Sequence, residues 1–235
     1  MENLPVFTSL FFVMATGLAV YMIYRASRNS KVVLLLILAW LVLQAVLSLS
    51  GFYQLSGTVP PRVILLILPP TLLCLILFLL PRGKRFIDRL NPATLTLLHI
   101  VRIPVEITLY LLFLEKQVPR LMTFAGGNYD IFSGLTAPVI YYFGFIKNRL
   151  PKEIILTWNF ICLGLLLSII YHALLSAPSP IKRFAFDQPN LAIRDFPYAW
   201  LPSCIVPLVL FSHLAVIRQL RFIKFADLKI WKFED

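Results

Sequence analysis

Long apolar runs recur along the whole chain, separated by short segments that carry most of its charge. A helix needs roughly 20 apolar residues to cross about 30 Å of hydrocarbon. Six runs approach or exceed that length, and they predict membrane-spanning α-helices because unpaired backbone groups are costly in lipid. A seventh run, 131–146, is shorter, so a re-entrant segment is its alternative. The six long runs are 4–24, 32–53, 63–80, 92–114, 154–175 and 200–217.

The composition agrees with this interpretation. Of the 235 residues, 59% are hydrophobic and 14% are charged, and the mean hydropathy is +0.83. A soluble domain this apolar could not cover its surface with polar groups. We therefore predict an all-α integral membrane protein, with about seven transmembrane helices forming one bundle over residues 1–217.

The positions of Lys and Arg predict how the chain is oriented. With seven spans, fifteen of the 22 cations face the cytoplasm and six face outward, while Arg102 lies within a helix. The positive-inside rule then places the N-terminus outside and the C-terminus in the cytoplasm. The predicted location is the cytoplasmic (inner) membrane of a bacterium. The formal charge of +11 does not indicate a nucleic-acid partner, because the cations cluster between the spans.

Residues 218–235 interleave basic and aromatic residues beside the last span. This pattern is typical of an interfacial segment that contacts the headgroups of membrane lipids. Docking of a cytoplasmic protein partner is the alternative. The long outer loops, 115–130 and 176–198, are either ordered caps or a surface for another partner.

The fourth run contains the strongest polar constellation. His99, Arg102 and Glu106 lie at offsets of three and seven and so share one helix face. A charged side chain at mid-membrane depth usually faces the bundle interior and finds a partner, and Glu106 is the predicted partner of Arg102. Pro104 should bend the helix between them. These residues predict either a polar pocket or an ion pair that only fixes helix packing.

Polar residues of other helices are expected near the same depth. His213 and Asn159 lie one to two turns from the cytoplasmic ends of their helices, as does His99, and Gln44 lies near the depth of Glu106. We predict that they converge on Arg102 to form a ligand site. Each of them alone is more often a structural hydrogen-bonding residue.

The residues indicate no particular cofactor, and we assign no metal. His99 and His213 would allow haem ligation, but no second pair lies at the opposite depth. On the outer side, His172 and loop carboxylates such as Asp130 would more often be solvated than bind a metal. Asn128, Tyr129 and Asp130 are an alternative lining for a mouth of the bundle. The helix count resembles that of rhodopsins, but the run 200–217 has no lysine to hold retinal.

Three functions fit these features. The first is binding of a small amphipathic or anionic ligand, such as a lipid, in a polar intramembrane pocket for transport or sensing. The second is an intramembrane lipid-modifying enzyme, in which Glu106 or His99 is the general acid or base and Arg102 binds an anionic group. The third is a structural or assembly subunit of a membrane complex.

Overall fold

The computed structural model describes residues 6–54, 62–178 and 182–222, and these form nine α-helices and no strand. The helices are α1 Val6–Ala26, α2 Lys31–Leu49, α3 Ile64–Leu79, α4 Pro81–Asp88, α5 Pro92–Leu98, α6 Arg102–Leu114, α7 Ile131–Ile140, α8 Lys152–Ser176 and α9 Val206–Phe222. Shorter segments extend or join them: 3₁₀ turns at His99–Val101, Arg120–Met122, Phe124–Gly126 and Ala192–Arg194, and π-helical turns at Tyr141–Ile146 and Leu201–Ile205. The predicted all-helical class is confirmed.

Within the described ranges, five helices are long and apolar enough to cross a membrane. They are α1, α2, the continuous segment Pro92–Leu114, α8 and the segment Leu201–Phe222. A sixth candidate consists of α3 and α4 together, but α4 is bent by 92° from α3. Several long apolar helices are thus compatible with insertion into a membrane. The predicted tail 218–235 begins inside α9, and residues 223–235 lie outside the described residues.

Burial is distributed unevenly among the helices. Nearly every residue of α5 and most residues of α9 are buried, so these two helices lie at the centre of the bundle. In contrast, α2 buries Leu41, Gln44 and Ser48, and α3 buries Leu66. The outward faces of α2 and α3 expose large aliphatic side chains. Exposed faces of this composition suit contact with acyl chains rather than water.

The segment Pro92–Leu114 begins at a side-chain cap and contains a 3₁₀ turn. The Asn91 side chain accepts a hydrogen bond from the Thr94 N–H at 3.1 Å and so caps the helix that starts at Pro92. Upstream of Pro104 the helix tightens into the 3₁₀ turn His99–Val101. Proline cannot donate to the carbonyl four residues earlier, so the regular bonding pattern is interrupted at this point.

After α6 the chain reverses and returns along the same helix. Four contacts mark the route: Tyr110 with Phe124, Glu106 with Asn128, Arg102 with Asp130, and Ile103 with Gly134. The irregular segment 115–130 therefore lies beside α6, and α7 begins next to Arg102. From there α7 continues along the 3₁₀ turn and α5. Irregular backbone at this depth is tolerated where protein covers it.

Two tryptophans attach the peripheral helix α2 to the start of the last span. The indole of Trp40 donates to the carbonyl of Ser203 at 2.8 Å, and the indole of Trp200 donates to the carbonyl of Leu41 at 3.0 Å. The Ser203 carbonyl lies four residues before Pro207, which has no N–H to offer it. Trp40 gives this carbonyl a side-chain donor.

Candidate functional site

A buried ion pair between Arg102 and Asp130 forms the centre of the candidate site. Nη1 of Arg102 lies 2.5 Å from Oδ1 of Asp130, and the two side chains are 3% and 7% exposed. The same Nη1 lies 3.5 Å from the carbonyl oxygen of Cys162 on α8. Asp130 immediately precedes α7.

The structure corrects the partner predicted for Arg102. Glu106 was the expected partner because residues four apart share a helix face, but the described ion pair joins Arg102 to Asp130. A cation placed four residues before an acid is the less favourable order on a helix. Asp130 comes from a different segment and reaches the guanidinium directly. The expectation that the Asp130 carboxylate is solvated in its loop is therefore wrong, since the residue is 5% exposed.

A chain of hydrogen bonds extends from Arg102 across two further helices. Nη2 of Arg102 lies 3.0 Å from Nε2 of His213, and Nδ1 of His213 lies 2.8 Å from Oδ1 of Asn159. The Asn159 amide then donates to the carbonyl of Ile155 at 2.8 Å. Because a guanidinium can only donate, Nε2 of His213 is the acceptor and Nδ1 carries the proton. His213 is thus a neutral link in a chain of defined polarity.

His99 joins this cluster by stacking. Its ring lies parallel to that of His213, with centroids 3.8 Å apart, and the edge of Trp158 completes the aromatic group. Both ring nitrogens of His99 are buried without a hydrogen-bond partner among the described residues. Unsatisfied buried polar atoms are rare in native proteins and often accompany function.

Glu106 lies one turn above Arg102 and is held by the returning segment. Its Oε1 accepts a hydrogen bond from the Asn128 amide at 2.6 Å, and the same amide donates to the carbonyl of Met122 at 3.0 Å. Oδ1 of Asn128 also accepts from the Asp130 N–H at 3.0 Å. Asn128 thereby positions both carboxylates. The second oxygen of Glu106, Oε2, has no partner among the described residues.

A cavity of about 80 Å³ opens beside these charged groups. Arg102, Glu106 and Asp130 line it at one end, and the remaining walls are almost entirely aliphatic. The α8 wall extends from Leu166 to Leu174, a rise of about 12 Å at 1.5 Å per residue. Leu174 is 37% exposed, so the cavity reaches the surface of the bundle. The cavity is thus bordered by charged side chains at one end and by apolar side chains along the rest of its length.

The structure joins four of the six predicted site residues in one cluster, in which His99, Arg102 and Asn159 each contact His213. Glu106 lines the same cavity as Arg102. Gln44 has a different hydrogen-bond partner: its Oε1 accepts a 2.6 Å hydrogen bond from the hydroxyl of Tyr53. Tyr53 packs in a separate cluster with Leu66 and Ala199.

The segment before α7 contributes more to the cluster than its sequence predicted. Asn128, Tyr129 and Asp130 are predicted from the sequence as an alternative lining for a mouth, and two of these are central to the cluster, while Tyr129 is 57% exposed. The usable signal was an Asn and an Asp directly before an apolar run too short to cross the membrane. Such a run indicates that the preceding polar residues already lie at depth.

Among the described residues, His172 does not join a carboxylate cluster. Nδ1 of His172 lies 2.9 Å from the carbonyl oxygen of Ser168, and Oδ1 of Asp195 accepts a hydrogen bond from Gln54. Over residues 6–54, 62–178 and 182–222, no group of three or more His, Cys, Asp or Glu is arranged to hold a metal ion.

Comparison with known proteins places the cluster in a recognised family. The family described as Domain of unknown function (DUF8737) matches residues 59–221, more than half of the chain. The chain belongs to this family. The matched region contains every residue of the Arg102 cluster and leaves out α1 and α2, including Gln44. No curated protein and no solved structure matches the chain.

Proposed function

We propose that the chain crosses a bacterial cytoplasmic membrane seven times, with its N-terminus outside and its C-terminus in the cytoplasm. The charge distribution supports this arrangement, because fifteen of 22 cations then face the cytoplasm. The route of the chain after α6 supports it too. The segment that returns beside α6, followed by α7, runs from the end near Leu114 to the end near Pro92. An irregular outer half and a helical inner half together make the fifth crossing.

Reporter insertions test this topology. A fluorescent protein that folds only in the cytoplasm, inserted after Asn148, should be active, and a periplasmic phosphatase reporter there should be silent. Insertion after Gln188 should give the reverse result. If residues 118–146 do not cross, the insertion after Asn148 will report from the outside, which would contradict the seven-span arrangement.

We further propose that the protein binds a small amphipathic ligand in the cavity beside Arg102, for transport or sensing. The cavity carries the proposal, because it combines three ionisable side chains at one end with aliphatic walls that lead to the bundle surface. Ligand sites are usually apolar spaces with a few convergent polar groups. An ion pair that only holds helices together needs no cavity beside it. Side chains that filled the cavity would pack the bundle more tightly.

The walls also indicate where a ligand would enter. They come from α8 on one side and from α3 and the start of the last span on the other, with Leu174 at the exposed end. An amphipath dissolved in the membrane could reach this end without passing through water. Its apolar body would then occupy the aliphatic passage, and its polar head would lie against the charged end.

Matched substitutions on α8 test ligand binding. The purified full chain in lipid nanodiscs is incubated with octylamine, octanol and octanoate, and retention is measured by native mass spectrometry. Ile170→Trp places an indole in the cavity wall, whereas Ile161→Trp places the same group on a face that is 60% exposed. We expect saturable binding of at least one probe to the wild type and to Ile161→Trp, and its loss in Ile170→Trp. Equal binding to both variants would exclude the cavity as the site.

A further inference from the structure

Three of the five N–H donors of Arg102 are used within the protein, and its Nε–H has no partner among the described residues. Nη1 contacts Asp130 and the carbonyl of Cys162, and Nη2 contacts Nε2 of His213. The positive charge is compensated by the Asp130 carboxylate at 2.5 Å. An anionic ligand head would have to displace Asp130 or share the guanidinium with it. Arg102 is thus a poor receptor for an anion in this arrangement.

Glu106 is an acidic group with unused hydrogen-bonding capacity at the cavity. It is 2% exposed, and Oε1 is occupied by Asn128, while Oε2 is buried with no described partner. Burying a carboxylate oxygen without a hydrogen bond is costly, so the site gains most from a molecule that brings a donor. Because Glu106 lines the cavity, a ligand lodged there can bring that donor once the carboxyl turns to expose Oε2, which is itself fully buried.

The charges that line the cavity favour a cation. The ionisable lining groups are two carboxylates, Glu106 and Asp130, and one guanidinium, Arg102. A ligand with a carboxylate or phosphate head would add a third negative group to a poorly solvated space. A ligand with an ammonium head would balance the two acids with two cations.

Resting on the proposed binding function, we infer that the ligand is an amphipathic amine whose protonated ammonium head donates to Oε2 of Glu106. Its alkyl body lies along the aliphatic walls formed by α8 and the start of the last span. Arg102 and Asp130 act as a fixed neutral pair beside the head, and Asn128 orients the Glu106 carboxylate toward it.

The same three octyl probes test the head group, because they share a chain and differ only in the head. At neutral pH the wild-type protein should bind octylamine about ten-fold more tightly than octanol, since a hydrogen bond between charged groups is worth more than a neutral one. Octanoate should bind most weakly. Tightest binding of octanoate, or equal binding of octylamine and octanol, would overturn the inference, and neither result requires a variant to fold.

Glu106→Gln removes the charge while keeping the size of the side chain. In a folded Glu106→Gln protein, the affinity for octylamine should fall to near that for octanol, and octanol binding should change little. A preference for octylamine that survives this change would contradict a role for Glu106. The two proposals fail in different ways. If no probe binds the wild type, the binding function itself fails. If probes bind and Ile170→Trp blocks them without any amine preference, the assignment of the head alone is wrong.

Discussion

Two Arg–Asp ion pairs of the described residues lie in different surroundings. Arg102 and Asp130 are 3% and 7% exposed, whereas Arg218 and Asp88 are 21% and 31% exposed. The second pair is a two-pronged contact, with Nε and Nη2 of Arg218 each 2.9 Å from one carboxylate oxygen. In the first, the guanidinium divides its donors among Asp130, His213 and the Cys162 carbonyl.

The difference shows how the surroundings decide what an ion pair does. At the exposed pair, water can replace either partner, so its net contribution is small. At the buried pair, the loss of one partner leaves a buried charge without its hydrogen-bonded counter-ion. Arg218–Asp88 ties α9 to the end of α4, whereas Arg102–Asp130 supports a cluster that extends over four segments of the chain.

The largest effect is expected from Asp130→Ala. Breaking a buried pair by removing one partner typically lowers the free energy of unfolding by about 3 to 5 kcal/mol. Unfolding of the purified protein in mixed detergent micelles measures this loss. The double variant Arg102→Met with Asp130→Leu should recover a substantial part of it, because no unpaired charge remains. Equal stability of Asp130→Ala and wild type would show that the pair does not hold the cluster together.

The two stacked histidines allow a matched comparison inside the buried cluster. His213→Phe removes the acceptor of Arg102 and the donor to Asn159, so it should reduce stability by about 1 to 3 kcal/mol. His99→Phe keeps the stack and breaks no described hydrogen bond, so its stability should be close to that of wild type or higher. Detergent unfolding of both variants is the measurement. An equal loss in both would mean that the hydrogen bonds contribute little.

Gly134→Ala tests the close packing that holds α7 beside Arg102. An added Cβ would lie 2.9 Å from Cγ1 of Ile103 and 3.1 Å from its backbone nitrogen, so α7 must shift. We expect a loss of about 1 to 3 kcal/mol, as for other overpacked sites. Gly164→Ala on α8 is the control, because its Cβ would meet nothing within 4 Å. The control should be neutral or stabilising, and similar losses in the two variants would contradict the packing argument.

The smallest effect is expected at the exposed pair. Asp88→Asn should lower the free energy of unfolding by about 0.2 to 1 kcal/mol. The difference from wild type should shrink further at high salt, because screening weakens exposed ion pairs. Stability curves at low and high ionic strength provide the measurement. A loss as large as that of Asp130→Ala would remove the contrast between the two pairs.

The sequence was informative wherever a local pattern determines the outcome. Apolar runs predicted the long helices, and the depths of His99, Asn159 and His213 predicted that they cluster, with His213 joining the group to Arg102. These results follow from lengths and periods that a single sequence displays. Depth along a span is counted from its end, and polar side chains at one depth tend to find one another in a bundle.

What could not be predicted depends on the route of the chain between the helices. Nothing local indicates that the segment before α7 turns back beside α6, and without that route Asp130 looks like a surface loop residue. The sharp bend into α4 is similar, because it depends on the close approach of Gly83 to the Leu77 backbone. Arg102 pairs with Asp130 because the segment before α7 is placed beside α6, which no local pattern in the sequence shows.

The bond between Trp40 and the Ser203 carbonyl has a consequence for biogenesis. The ribosome delivers α2 to the membrane well before the last span emerges, so the indole of Trp40 must wait for its acceptor. Until then α2, with three buried residues, is weakly attached to the rest of the nascent chain. Final seating of the second helix therefore has to wait until Ser203 has been synthesised and its segment has packed beside α2.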